Sequence, residues 1–215
     1  MALRYQRFPK FSAFGSLVNT AGLQLPSILL AFYYGPQVAG WFALSQRVLG
    51  LPMNLLGQAI SQVYLGTGSR LVHEDVKALR SLFIRSAIRL FLIGSPIIFT
   101  LAIGGPWLFI KIFGANWENA GKILQILTPA ILLQFVVAPL SQTVNLLEHQ
   151  HWQLNWDLFR LILVFSSIFL SYHFGKSPWI AILLFSLSMT FAYVVLFIMN
   201  LFILKKVLSP KSPKN

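Results

Sequence analysis

The sequence has no cysteine and few charged residues, and both shortages restrict what the protein can be. The absence of cysteine among its 215 residues excludes disulfides, thiolate metal sites and cysteine nucleophiles. Charged residues make up only 10% of the chain, against about 25% in a typical soluble domain. With 56% hydrophobic residues, a soluble fold of this size could not bury so much apolar surface, whereas a bilayer supplies an apolar phase. The composition therefore predicts an integral membrane protein.

Acidic residues are scarce as well, and this argues against catalysis. All five are predicted to lie in loops or at the ends of spans, which leaves no buried carboxylate for a proton relay: Glu74, Asp75, Glu118, Glu148 and Asp157. The neighbours His149 and His151 form an isolated pair, and a zinc site would need further ligands. The sequence contains no Gly-rich phosphate loop, Walker motif or serine elbow. We therefore predict a protein that is not an enzyme and has no catalytic residues, cofactor or metal.

Long apolar runs predict an all-α bundle of six transmembrane helices that forms a single membrane domain over residues 1–215. Each run has 21 to 28 residues, enough to cross about 30 Å of hydrocarbon. Glycine, proline and polar residues separate the runs, and Gly104-Gly105-Pro106 is expected to end the third helix. The spans are predicted at 11–34, 38–65, 81–103, 120–147, 154–174 and 178–204, with a polar loop at 66–80 between the second and third.

Basic residues dominate the charge, which is +12, and their distribution predicts the orientation of the bundle. Because they lie between apolar runs, membrane topology explains them better than nucleic-acid binding. The side that carries both termini holds Arg4, Arg7, Lys10, Arg70, Lys77, Arg80, Arg85, Arg89, Lys205, Lys206, Lys211 and Lys214. The opposite side holds only Lys111, Lys122 and Lys176. Since Lys and Arg stay cytoplasmic, both termini are predicted to be cytoplasmic, which requires an even number of spans.

Polar side chains form stripes on the first, second and fourth predicted spans. Arg47 lies within the second span, where an arginine costs at least about 2.5 kcal/mol on insertion scales. Asn54 and Gln58 follow on the same helical face. The stripes of the other two spans include Asn19 and Gln24 on the first, and Gln134, Gln142 and Asn145 on the fourth.

Two interpretations of these stripes are open. The polar residues either line a hydrated cavity or form hydrogen bonds that only hold the helices together. We favour the cavity for Arg47 with Asn54 and Gln58, and the bonding role for Ser and Thr. The fifth and sixth spans look more uniformly apolar and are expected to face lipid, although Arg160 lies just inside the fifth.

Arg85 and Arg89 are four residues apart at the cytoplasmic start of the third predicted span. One interpretation is that both side chains extend to anionic lipid headgroups. The other is that they dock the phosphate of a lipid-linked substrate. The sequence leaves both interpretations open.

Several stretches of the chain resemble the polysaccharide and oligosaccharide flippases of the multidrug/oligosaccharidyl-lipid/polysaccharide exporter superfamily. The first two are RYQRFPKFSAFGSLVN and GPQVAGWFALSQRVLGLPMNLLGQAISQVY. FGANWENAGKILQIL at 113–127 and PLSQTVNLLEHQ at 139–150 extend the resemblance. It implies two six-helix lobes around a central cavity that opens alternately to each side. The stretches match the second lobe, and the family's ion-linked acidic positions have no clear equivalent here.

The resemblance implies that the chain is one lobe of a flippase that exports lipid-linked oligosaccharide or polysaccharide precursors across the cytoplasmic membrane of a bacterium. Its expected partners are the lipid-linked glycan, membrane lipids and either a missing N-terminal lobe or a second copy. Truncation is the favoured explanation, because the basic start of the chain resembles a linker between lobes. The alternatives are a small-molecule or drug exporter of the same superfamily, a membrane-embedded enzyme of glycan synthesis, and a membrane scaffold without transport.

Overall fold

The chain folds into long helices joined by short turns. The structure, a computed structural model, describes residues 7–147 and 149–208, and among these residues no strand occurs. Within these ranges the description leaves out the side chains of residues 7–19, 21, 51, 150 and 208.

The described residues form seven α-helices and two 3-10 turns. The helices are α1 (Arg7–Tyr34), α2 (Pro36–Glu74), α3 (Val76–Phe113), α4 (Glu118–Val137), α5 (Gln142–Leu146), α6 (Gln150–His173) and α7 (Pro178–Leu208). The 3-10 turns, Ala115–Trp117 and Pro139–Ser141, precede α4 and α5 respectively.

Glycines in a left-handed backbone conformation separate the first helices. Gly35, at φ 91°, lies between α1 and α2, and Pro36 then occupies the first turn of α2, where its missing N–H costs nothing. Gly114, at φ 94°, ends α3. Both turns rely on glycine because other residues rarely adopt these angles.

The polar loop predicted at 66–80 is wrong, because helices fill nearly all of it. Helix α2 continues to Glu74 and α3 begins at Val76, with Asp75 alone in an extended conformation. The Asp75 carboxylate accepts hydrogen bonds from the backbone N–H of Lys77 at 2.8 Å and Ala78 at 3.2 Å, and so caps α3. With 39 and 38 residues, α2 and α3 are each about twice as long as a bilayer crossing requires.

The predicted end of the third helix at Gly104-Gly105-Pro106 is also wrong, since α3 runs on to Phe113. Gly105 instead lies in a close contact between α3 and α4. A Cβ atom added at Gly121 of α4 would lie 2.6 Å from the carbonyl carbon of Gly105 and 2.5 Å from the Cα of Pro106. Small residues permit such backbone contact between membrane helices, and a proline inside such a helix is tolerated.

The fourth predicted span is divided rather than continuous. Helix α4 ends at Val137, and after Ala138 the 3-10 turn Pro139–Ser141 connects it to the short helix α5. Pro129 lies inside α4 without ending it, whereas Pro139 coincides with the break.

Four helical stretches are long and apolar enough to cross a membrane: Val76–Phe113, Ala115–Leu146, His151–His173 and Pro178–Val207. Helices α1 and α2 are not among those identified within the described residues. The protein is therefore an all-helical membrane protein over its described part, and the count of six spans stays a prediction.

Helix α4 is the centre of the packing. It contacts α2, α3 and α7, while α1 packs against α2 and α6, and α6 packs against α7. In the most apolar part of the stretch that contains α4, 61% of the residues are buried, whereas in that of α3 only 28% of the residues are buried. This arrangement leaves α1, α2 and α4 around one open space, and it places α3 at the periphery.

Candidate functional site

A cavity of about 620 Å³ lies among α1, α2, α4 and α7. Helix α2 contributes most of its polar wall. Its apolar lining includes the buried side chains of Met53, Phe135, Phe185 and Met189. The cavity therefore combines apolar and polar groups from neighbouring helices, as is common for ligand sites.

The polar wall consists of one arginine and a set of neutral side chains. Its members are Arg47, two serines (Ser27 and Ser61) and six amides, which are Gln24, Gln46, Asn54, Gln58, Gln134 and Gln142. Among the described residues, the lining includes no Asp or Glu, and Arg47 forms no ion pair with any of them. Because each amide both donates and accepts hydrogen bonds, this wall suits a neutral polyhydroxyl compound attached to an anion.

The break between α4 and α5 supplies amides from both of its sides. Gln134 lies before the break and Gln142 after it, and Ala138 and Pro139 line the cavity between them. Asn145 is not part of the lining, but its side-chain nitrogen donates to the Gln142 side-chain oxygen at 2.9 Å. Asn145 therefore orients one cavity amide without bordering the cavity itself.

Most of the predicted cavity residues come together in this one space. Those that line it are Gln24, Arg47, Asn54, Gln58, Gln134 and Gln142. The predicted residue Asn19 lies on α1, and its side chain is outside the described part of the structure. Arg85 and Arg89 lie elsewhere, as exposed residues of α3, a helix that contributes nothing to the lining. The structure therefore separates these two arginines from Arg47.

Sequence reasoning missed Gln46, Phe185 and Met189. Gln46 is adjacent to Arg47, so its position beside the stripe was a usable signal. No such signal exists for Phe185 and Met189, because they belong to an apolar helix and reach the cavity only through the packing of α7 on α4.

A buried ion pair lies close to the cavity, and the sequence did not predict it. Asp157 and Arg160 are 5% and 2% exposed, and the Arg160 Nη2 atom lies 3.4 Å from the Asp157 Oδ1 atom. The guanidinium lies 4.9 Å from the centre of the Trp156 ring and hydrogen-bonds to the Tyr193 side chain. The expectation that no carboxylate is buried was therefore wrong, and α6 is not uniformly apolar, because it carries this buried charged pair.

No group of three or more His, Asp or Glu side chains arranged to hold a metal ion occurs among the residues that the structure describes. The rings of His149 and His151 stack at 5.8 Å. Asp157 is engaged with Arg160 and Gln153 instead. The described residues therefore present no constellation for metal chemistry.

Residues 2–122 match the family described as polysaccharide biosynthesis protein. This match covers more than half of the 215 residues. The chain belongs to this family. The match agrees with the resemblance predicted from the sequence. It includes α3 and also α1 and α2, which carry the cavity residues Gln24, Arg47 and Gln58.

The curated relatives of this chain have low sequence identity to it, but their names all refer to the biosynthesis of a polysaccharide. Teichuronic acid biosynthesis protein TuaB of Bacillus subtilis is 20% identical over 91% of this chain. Lipopolysaccharide biosynthesis protein WzxC of Escherichia coli is 23% identical over 75%, and succinoglycan biosynthesis transport protein ExoT of Rhizobium meliloti is 24% identical over 68%. The chain spans 38%, 33% and 29% of the lengths of these relatives, respectively. No solved structure matches it.

Proposed function

We propose that this chain is one lobe of a flippase that moves lipid-linked oligosaccharide or polysaccharide precursors across the bacterial cytoplasmic membrane. Membership of the polysaccharide biosynthesis family supports a role in making polysaccharide. The name of ExoT, a succinoglycan biosynthesis transport protein, supports movement of the precursor rather than its synthesis. The observation that carries the proposal is the composition of the cavity, with one arginine, six amides and no carboxylate in its lining.

The diphosphate and the sugars of such a precursor each have a matching group in the cavity. In this proposal Arg47 binds the diphosphate, because a guanidinium donates several N–H groups in a geometry that suits phosphate oxygens. The amides of Asn54, Gln58 and Gln134 bind sugar hydroxyls through neutral hydrogen bonds. The same composition argues against the alternative of cationic drugs, since Arg47 repels them and no lining carboxylate attracts them.

The topology that we propose has six spans and both termini in the cytoplasm. The four apolar stretches and the basic residues near α2, α3 and α7 support this orientation. Helices α1 and α2 complete the six, and both contribute polar residues to the cavity, including Gln24 of α1 and Arg47 of α2.

The proposal includes a second surface that faces the polar stripe of α2. Arg47, Asn54 and Gln58 are all exposed in the isolated chain. Their direct exposure to lipid would be costly, so we propose that a second lobe or a second copy of the chain covers them. The pathway would then lie between the two surfaces. A purified monomer of 24.2 kDa that moved lipid-linked sugar in liposomes would contradict this arrangement but not the transport function.

The proposal is tested by Arg47→Gln in a strain whose surface polysaccharide depends on this gene. We expect export to fall at least about tenfold, because charge-assisted hydrogen bonds to the diphosphate are lost. Lipid-linked glycan should then accumulate at the cytoplasmic face. The control is Arg70→Gln, which removes an exposed arginine paired with Glu74 on the same helix, outside the cavity. Normal export by Arg47→Gln would contradict the role of the cavity arginine.

The amide wall is tested separately by Gln58→Leu. We expect a roughly two- to tenfold loss of export, as for the removal of one hydrogen bond. The matched control is Gln62→Leu, one turn further along α2, since Gln62 is exposed and does not line the cavity. Equal losses in the two variants would show that the effect does not come from the cavity.

A further inference from the structure

One face of α3 is apolar along most of its length and exposed in the isolated chain. Ile88, Leu92, Phe99 and Ile103 are 54%, 63%, 49% and 80% exposed. Their spacings of 4, 7 and 4 residues place them on one side of the helix. Among the four stretches that are apolar enough to span a membrane, that of α3 is the least buried.

The ends of this face carry the groups expected at the two boundaries of a bilayer. Arg85 and Arg89 lie at one end, and Trp107 lies at the other with the Lys111 ammonium 5.1 Å from the centre of its ring. Arg89 and Trp107 are 18 positions apart, which corresponds to a helical rise of about 27 Å, close to the thickness of the hydrocarbon core. Tryptophan and lysine at one boundary and arginines at the other fit a helix whose face lies against lipid.

Arg85 and Arg89 lie on this same face, one helical turn apart. Both are exposed, and the ion pairs of the described residues involve other cations: Arg70, Lys122 and Arg160. Two adjacent guanidinium groups with no carboxylate partner there present several N–H donors at the end of an apolar surface. This combination is complementary to an anionic headgroup with acyl chains attached.

We propose that Arg85 and Arg89 bind the phosphate of an anionic phospholipid in the cytoplasmic leaflet, with its acyl chains lying along Ile88 and Leu92. The ligand is a bilayer lipid such as phosphatidylglycerol rather than the transported precursor, because α3 lines no part of the cavity. Basic side chains at the cytoplasmic boundary attract anionic lipids, and two of them one turn apart can share one phosphodiester. The site does not depend on the chain being a flippase.

The lack of cysteine permits a local test of this site in the full chain. A fluorophore is attached to Leu92→Cys, and the chain is reconstituted in vesicles of phosphatidylcholine that contain a minor fraction of nitroxide-labelled lipid. We expect labelled phosphatidylglycerol to quench the fluorophore at about 25-fold lower mole fraction than labelled phosphatidylcholine, since each of the two basic residues near the surface contributes roughly a factor of five. A fluorophore on Ile103→Cys, at the far end of the same face, should not distinguish the two lipids.

Two double variants identify the groups responsible. Arg85→Gln with Arg89→Gln should abolish the preference for phosphatidylglycerol at Leu92→Cys. Arg70→Gln with Lys205→Gln removes the same charge from exposed positions on α2 and α7 and should preserve it. The proposal is overturned if both double variants lose the preference equally, or if the chain with Arg85 and Arg89 intact shows no preference for phosphatidylglycerol. It is also overturned if an isoprenyl diphosphate displaces labelled phosphatidylglycerol far better than unlabelled phosphatidylglycerol does.

Discussion

Arg160 and Asp157 form an ion pair inside the helical bundle, with 3.4 Å between Nη2 and Oδ1 and side chains that are only 3% and 7% exposed. The pair lies where α1, α6 and α7 meet. Gly22 of α1 is so close that a Cβ atom there would lie 3.1 Å from the Arg160 Nη2 atom, and Tyr193 of α7 contacts the guanidinium. Gly22 also lines the cavity. The ion pair therefore packs against the part of α1 that lines the cavity.

Removal of one partner should destabilise the protein strongly. Arg160→Met or Asp157→Leu leaves the other charge buried without its counterion, which costs about 3–5 kcal/mol in comparable buried pairs. We expect a large fall in the unfolding midpoint in detergent for each single variant, and a smaller fall when both are combined. The control is Arg70→Met, because its pair with Glu74 is exposed and contributes at most about 1 kcal/mol. A double variant that loses as much stability as the two single variants together would show that the charges are not coupled.

The close contact between α3 and α4 gives a second prediction. Gly121→Ala places a Cβ atom 2.5 Å from the Pro106 Cα, so the helices must separate, at a cost of about 1–3 kcal/mol. Gly104→Ala is the matched control, since nothing lies within 4 Å of a Cβ atom there and alanine favours a helix. Thermal unfolding of both variants in detergent measures the difference. A loss in Gly104→Ala as large as that in Gly121→Ala would contradict this packing.

The third prediction concerns orientation. In intact cells, Ser69→Cys should be protected from an impermeant thiol reagent, while Ala115→Cys should react, because the basic ends of α2 and α3 are expected to be cytoplasmic. Both native side chains are exposed in the structure. Ser69 is a better position than Gly68, where a Cβ atom would lie 2.7 Å from the Leu146 Cδ1 atom. Permeabilised cells give the full labelling level, and the reverse pattern would overturn the orientation.

Much of the candidate cavity could be predicted because its polar residues are spaced at helical periods. Arg47, Asn54 and Gln58 share a face in any helix that contains them, so a cavity that borders this face borders all three. Gln142 was harder to place, because the 3-10 turn Pro139–Ser141 separates it from α4 and interrupts the helical period. Asn145 illustrates the limit, since its side chain contacts Gln142 without reaching the cavity.

Composition and charge distribution by themselves determined that this is a helical membrane protein, because the cost of apolar surface in water adds up along the chain whatever the fold. Motif similarity likewise indicated its family before any helix was placed. Only the tertiary structure decided that Gly105 packs against α4 instead of ending α3, and that Asp157 is buried beside Arg160. These outcomes depend on which groups a neighbouring helix presents. A glycine or a carboxylate can lie either in a turn or at a packed interface between helices, and the local sequence does not distinguish these two positions.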